Sequence, residues 1–249
     1  MTATLLTRLL PPAALSAEEF GDIPDAWLFP EEAAVLSRAV ERRRKEFATV
    51  RHCARVALTV LGRPAGPMVP GERGAPTWPE GVVGSMTHCD GYRAAAVSRR
   101  TDVAALGIDA EPHAPLPPGL LARIASPAER NHLATLRHAR PALHWDRVFF
   151  SAKESVYKAW FPLAGTWLDF REAEVTLDPH RLTFRARLLK TGHDPEGRPL
   201  QVFHGRWQVS RRLVVTAVAH GVTPMSRARG RTPRDIPYGM LHGAADGGR

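Results

Sequence analysis

With 249 residues, 44% of them hydrophobic, the chain can bury a core for one large domain or two small lobes. No apolar run approaches the ~20 residues a bilayer span needs, and the opening MTATLLTRLLPPAAL is too short an apolar run, broken by Arg8, for a signal peptide. A formal net charge of +9 points to an anionic partner, whether nucleic acid, a phosphorylated small molecule or an acidic protein surface. The two cysteines are too few for a disulfide framework, so the expected compartment is the reducing cytoplasm. Cys53 and Cys89 each follow a histidine, but neither pair has the C-x-x-C or H-x-x-x-H spacing that brings two side chains onto one zinc ion.

Residues 31–61 read as one helical region with Leu36, Val40, Phe47, Val50, Ala54, Leu58 and Leu61 on one stripe, ended by GRPAGP. On the same wheel Arg43 falls inside the apolar stripe, and Arg44, Arg51 and Arg55 line its edge. A cation there needs a partner, so the pattern predicts an internal salt bridge, a helix break near Arg43, or an anion site set into the lobe. GVVGSMTHCDGYRAAAVSRR then reads as two strands around CDGY, and TDVAALGIDAEP as a third strand stopped by Pro112. After a proline-rich connection a helix opens at SPAER, with Ser126 as cap, Pro127 at the first helical position and Glu129 closing a capping box. Two hairpins follow the next helix, through LDPHRLTFRARL and FHGRWQVSRRLVVTAV. The basic segment 221–249 is rich in Gly, Pro and Arg without periodicity, which predicts disorder.

The helix DRVFFSAKESVYKAWFPL, residues 146–163, places Phe149, Ala152, Val156, Ala159, Trp160 and Leu163 on one face and Arg147, Ser151, Glu154 and Lys158 on the other. Glu154 and Lys158, one turn apart, read either as a solvated pair or as part of a site. In ALGIDAEP, strand alternation puts Leu106, Ile108 and Ala110 on one face and Gly107, Asp109 and Glu111 on the other. Two carboxylates side by side repel unless a cation lies between them, and hard carboxylate oxygens suit Mg²⁺.

GIDAEP followed some forty residues later by FSAKESVYKAWFPL resembles the paired signature of the phosphopantetheinyl transferases of the surfactin and enterobactin synthetase type. RRRKEFATVRHCARVAL, GSMTHC and WLDF resemble further blocks of that family in the same order. The resemblance implies an α+β fold of two pseudo-symmetric lobes, each a helix packed on a small antiparallel sheet, here 1–112 and 113–220. It also implies transfer of 4′-phosphopantetheine from coenzyme A to a serine of an acyl or peptidyl carrier protein, with Mg²⁺ (or Mn²⁺), by a monomer. By motif, Asp109, Glu111 and Glu154 resemble the metal ligands, Glu154 also the proton-accepting group, and Lys158 the lysine that steadies the attacked phosphate. Arg43 (or Arg44, if the alignment slips by one), Arg51, Arg73 and His88 resemble the groups that hold the coenzyme A phosphates. Glu129 fits either the cap alone or an acidic residue near the metal, and His88 read alone fits a core histidine. The competing readings are a basic nucleic-acid-binding module, which leaves three carboxylates unexplained, and a Mg²⁺-dependent phosphodiesterase.

Overall fold

The computed structural model describes residues 4–222, so the expected basic tail beyond residue 222 lies outside the described residues. The first lobe is built from β1 (Leu15–Glu19), α1 (Pro30–Val35), α2 (Glu41–Val60), β2 (Val82–Cys89) and β3 (Tyr92–Arg99). β3 lies at the centre of its sheet, antiparallel to β1 on one side and β2 on the other. α2 covers one face, burying Cys53, Ala54, Ala57 and Leu58 against Val82, Ala95 and Val97.

The single helix expected over 31–61 is two, because Val40 takes an extended backbone and caps α2 instead of continuing α1. Arg44 satisfies carbonyls freed by the break: its Nε donates to Ala39 O (3.0 Å) and its Nη2 to Ser37 O (3.0 Å). Val40 is therefore exposed rather than on the buried stripe, while Leu36, Phe47, Val50, Ala54, Leu58 and Leu61 are buried as expected. β1 was not legible in the sequence, since its residues are mostly half-covered and its order comes from pairing with β3.

The second lobe comprises β4 (Ala105–Pro112), α3 (Leu120–Ile124), α4 (Pro127–Ala139), α5 (Trp145–Ala164), β5 (Ala173–Asp178), β6 (Thr183–Leu188), β7 (Val202–Ser210) and β8 (Leu213–His220). Its antiparallel sheet runs β4-β8-β7-β6-β5. The strand that a boundary after residue 112 assigns to the first lobe is thus the edge of the second sheet. α5 buries Phe149, Ala152, Val156, Ala159 and Trp160, the face its periodicity predicts, against Val175, Phe184, Phe203, Trp207 and Val218. α4 opens as the capping box expected: Glu129 N donates to Ser126 Oγ (3.2 Å) and Ser126 N to Glu129 Oε2 (2.7 Å). No helix among the described residues is long and apolar enough to cross a membrane.

β4 joins the lobes. Leu106, Ile108 and Ala110 pack into a core shared with Val83, Tyr92, Ala94 and Ala96 of the first sheet and Leu213 and Val215 of the second. β2 and β4 meet through hydroxyls, with Ile108 N donating to Ser85 Oγ and Ala110 N to Thr87 Oγ1, each at 3.0 Å. The opposite face of β4 lies against α5 so closely that a Cβ on Gly107 would stand 1.9 Å from Ser155 O and 2.8 Å from Ala159 N. Backbone atoms cannot step aside as a flexible side chain can, so Gly107→Ala should cost the full overpacking penalty of about 3 kcal/mol or more. Urea unfolding measures it; a midpoint equal to wild type contradicts the close approach.

Candidate active site

A cleft of about 890 Å³ opens between the lobes, walled by α2, the loop 70–78, β2, β4 and α5. Arg43, Arg51, Arg73, His88, Asp109, Glu154 and Lys158 all line it. Of the residues singled out by sequence, Glu111, at the end of β4, stands outside this lining, as do the alternative candidates Arg44 and Glu129.

Strand alternation delivers Asp109 and Glu111 to the face of β4 that meets α5, and the polar face of α5 delivers Glu154 and Lys158 to the same place. The lysine does not pair with Glu154. Lys158 Nζ donates to Asp109 Oδ1 (2.7 Å) and Ile108 O (3.1 Å), so the helix cation is spent on the strand carboxylate. Asp109 Oδ1 also accepts from Thr87 Oγ1 (3.4 Å), while Asp109 Oδ2 is buried with no hydrogen-bond partner. Glu111 Oε2 accepts from Arg147 Nη1 (2.8 Å). The Glu154 carboxylate forms no hydrogen bond or ion pair among the described residues.

Burial pushes Glu154 above the usual carboxylate range, with the charges of Asp109 and Glu111 adding to the rise against the pull of Lys158. Glu111 is raised for the same reasons, burial first and Asp109 second, despite Arg147. The three carboxylates therefore share one electrostatic neighbourhood. They are not drawn together as a metal cage, since among the described residues no three His, Cys, Asp or Glu side chains form a group that could hold a metal ion. Their chemistry nevertheless fits a hard divalent cation: all are oxygen donors, and the orphaned Asp109 Oδ2 lacks the counter-group that a cation would supply.

The basic wall is less uniform than the sequence implies. Arg43, expected within the apolar stripe, is half-exposed because α2 starts only at Glu41 and its first turn is free of the core. Its Nη1 donates to His88 Nε2 (2.6 Å), and burial, then Arg43, lowers the His88 pKa. His88 is thus a neutral acceptor on the cleft wall rather than a core histidine.

The arginines of α2 that are buried are Arg51 and Arg55, from the edge of the stripe, and their partner is the fully buried Glu32 of α1. Glu32 also accepts Met68 N (2.9 Å) and Phe29 N (3.0 Å). Arg51 stacks on Phe47 and gives Nε to Met68 O (2.9 Å), leaving its two Nη groups without a protein hydrogen bond among the described residues. Burial lowers its pKa to about 10. Arg73 sits in a left-handed turn (φ 54°), its guanidinium 5.4 Å from the centre of the Trp167 ring.

Glu129 is used by the fold: besides capping α4, its Oε1 accepts Val175 N (2.8 Å) and pairs with the buried Lys153 (3.0 Å). Lys153 also donates to Phe170 O and Ala173 O, holding the segment that carries Trp167. Sequence reasoning missed the partners Glu32, Arg147 and Glu46, whose Oε2 lies 3.9 Å from Arg43 Nη1 and 3.7 Å from His88 Nε2. Arg147 lay on the polar face of α5 and carried the signal; Glu32 and Glu46 had none, being ordinary helical glutamates in sequence.

Residues 31–98 match the 4′-phosphopantetheinyl transferase N-terminal domain, and residues 105–213 match the 4′-phosphopantetheinyl transferase superfamily. The chain is 58% identical over 218 residues to 4′-phosphopantetheinyl transferase Svp of Streptomyces mobaraensis, covering 86% of this chain and 89% of that protein. It is 48% identical over 223 residues to 4′-phosphopantetheinyl transferase PptT of Mycobacterium tuberculosis, covering 86% and 97%. A more distant likeness, 29% over 189 residues, joins 75% of it to 82% of enterobactin synthase component D of Escherichia coli. The chain therefore belongs to the 4′-phosphopantetheinyl transferase superfamily. It is an enzyme that moves 4′-phosphopantetheine from coenzyme A onto carrier proteins, and the nucleic-acid and phosphodiesterase readings give way to that one.

The raised pKa of Glu154 fixes the sign of a stability test in metal-free buffer. The fold favours the protonated acid, so this stabilising contribution is complete at acid pH and is lost as pH rises through the raised folded value. Glu154→Gln should therefore melt above wild type near pH 7.5, by about 2–4 °C if roughly 1 kcal/mol is recovered, with the gap closing near pH 4. Melting curves at the two pH values read this out, and an equal gap at both excludes the buried-carboxylate account.

Proposed function

We propose that Asp109, Glu111 and Glu154 hold Mg²⁺, or Mn²⁺, over the diphosphate of coenzyme A. In this reading Glu154 also accepts the proton of the attacking serine, and Lys158 steadies the phosphate under attack. Arg43, Arg51, Arg73 and His88 hold the phosphates of the donor, the 3′-phosphate in particular. The observation that carries the assignment is the buried Asp109 Oδ2, without a hydrogen-bond partner among the described residues, in a cleft that Glu154 also lines and whose other wall is basic. Among the described residues Lys158 pairs with Asp109 and Arg147 with Glu111 while no cation pairs with Glu154, so a diphosphate set beside these carboxylates would meet uncompensated negative charge. Bound there, the divalent ion supplies the charge neutralisation that phosphoryl transfer needs.

The serine Oγ attacks the phosphorus that carries the pantetheine, the bond from that phosphorus to the bridging oxygen breaks, and adenosine 3′,5′-bisphosphate leaves. A carboxylate held above its usual range binds a proton more readily, which suits Glu154 to receive the serine proton. Lys158 Nζ, on Asp109 and one turn beyond Glu154, is near enough to follow charge developing on the phosphoryl oxygens. Arg43 lies at the cleft wall as a donor that an anion can join, with His88 accepting from its Nη1 and orienting it. Arg51 offers its unspent Nη groups from a rigid, buried stack, so little side-chain entropy is lost when it binds. Acyl and peptidyl carrier proteins are the proposed acceptors, and the enzyme is proposed to act as a cytoplasmic monomer, in keeping with two free cysteines.

Incubating the full chain with coenzyme A, Mg²⁺ and an apo carrier protein, then weighing the carrier, tests the reading. The carrier should gain the mass of one phosphopantetheine arm. Asp109→Ala, Glu111→Ala and Glu154→Ala should each lower kcat/KM by at least about a hundredfold while remaining folded. Near-wild-type rates in any two of them would refute the assigned site.

A further inference from the structure

The polar face of α5 carries one more cation, Arg147, which the assignments above leave without a role. We infer that Arg147 is a positioning residue for the divalent cation: it holds Glu111 through Oε2 and ties the end of β4 to the helix that bears Glu154. The inference rests on the proposed Mg²⁺ site.

Each nitrogen of the guanidinium donates one hydrogen bond. Nη1 donates to Glu111 Oε2 (2.8 Å), Nε to Ala114 O (3.0 Å) and Nη2 to Pro115 O (2.8 Å). The chain just after β4 is fastened to the start of α5 by two further bonds, Leu116 N to Asp146 Oδ2 (2.8 Å) and His144 N to His113 Nε2 (3.0 Å). Arg147 thus belongs to a clamp, and it alone in the clamp reaches a carboxylate assigned to the metal.

Spacing explains why one cation at each end is needed. Arg147 and Lys158 stand eleven residues apart on α5, about 16 Å along the axis. Asp109 and Glu111 are two apart on β4, about 7 Å. The two long side chains reach inward from either end, each taking one oxygen of one strand carboxylate, and Glu154 lies between them on the helix. Each strand carboxylate keeps its second oxygen, Asp109 Oδ2 and Glu111 Oε1, free of protein hydrogen bonds among the described residues. An outer partner of this kind fixes a ligand's orientation, and its loss commonly weakens metal binding 10–100-fold. Arginine is required because one ammonium cannot serve three acceptors in a planar fork.

Titration of the metal-stripped full chain with Mn²⁺, following free Mn²⁺ by electron paramagnetic resonance, decides the matter without any turnover. Wild type should bind Mn²⁺ at a site that Asp109→Ala abolishes, and Arg147→Met should bind it 10–100-fold more weakly. Melting curves of the metal-free variants run alongside, because a merely structural Arg147 would lower the melting temperature and leave Mn²⁺ affinity untouched. Unchanged affinity in Arg147→Met overturns the inference while the site stands, and so does tighter binding, which would make Arg147 a competitor of the metal. Absence of Mn²⁺ binding by wild type, or equal binding by Asp109→Ala, overturns the proposed site and this inference together. Should Arg147→Met fail to fold, Arg147→Lys is judged by the same criteria.

Discussion

A strand and a helix can lie against each other at backbone contact only where the strand has no side chain, and here that place is Gly107. With no Cβ to meet Ser155 O and Ala159 N, β4 settles onto α5, and the next two residues on that face, Asp109 and Glu111, are carried beside the polar face of the helix. The contact brings Lys158 to 2.7 Å and Arg147 to 2.8 Å from the strand carboxylates. A wider gap would leave all three acidic groups solvated, and Glu111 and Glu154 without the burial that raises them. The apolar stripe of α5, from Phe149 to Leu163, holds the helix in the register that the contact requires.

The two sides of the cleft treat buried charge differently. On the α2 side Glu32 pairs with both Arg51 and Arg55 and accepts two backbone N–H groups, so that a carboxylate with no exposed surface is fully bonded. Breaking such a pair from one side commonly costs about 3–5 kcal/mol, which makes it a fixed support for the basic wall. On the α5 side the balance is incomplete: among the described residues one Asp109 oxygen has no hydrogen-bond partner and the Glu154 carboxylate has no hydrogen bond or ion pair. The same contrast holds along α5 itself, where the neighbouring Lys153 is spent on Glu129 and two carbonyls, and Glu154 is left unspent. Unfinished electrostatics in an otherwise well-bonded cleft is the mark of a site completed by what binds there.

Much of this was legible because it depends on period. Alternation alone placed Asp109 and Glu111 on one face of β4 and Leu106, Ile108 and Ala110 on the other. The helical wheel alone separated Phe149, Ala152 and Val156 from Arg147, Glu154 and Lys158, and cap chemistry alone placed the start of α4. Partner choice was not legible, because it depends on contacts distant in sequence. The i,i+4 spacing suggested that Lys158 serves Glu154, but Asp109, some fifty residues away in sequence, takes it. The wheel put Arg43 in the core because it is in phase with Phe47 and Val50, and a wheel does not show that the first turn of α2 projects beyond the core. β1 escaped notice because a half-covered strand has no period to read. Arg147 was visible on the correct face, yet its bond to Glu111 follows from how closely β4 and α5 approach, which the sequence marks only by a glycine.

In the proposed site one divalent cation is held between β4 and α5 by Asp109, Glu111 and Glu154. Anomalous diffraction from crystals of the full chain grown with Mn²⁺ and coenzyme A tests this directly. One anomalous peak is expected within bonding distance of carboxylate oxygens from both elements, with Asp109 Oδ2 among them. A peak absent there, with Asp109 Oδ2 still unpartnered in the presence of donor and metal, would contradict it.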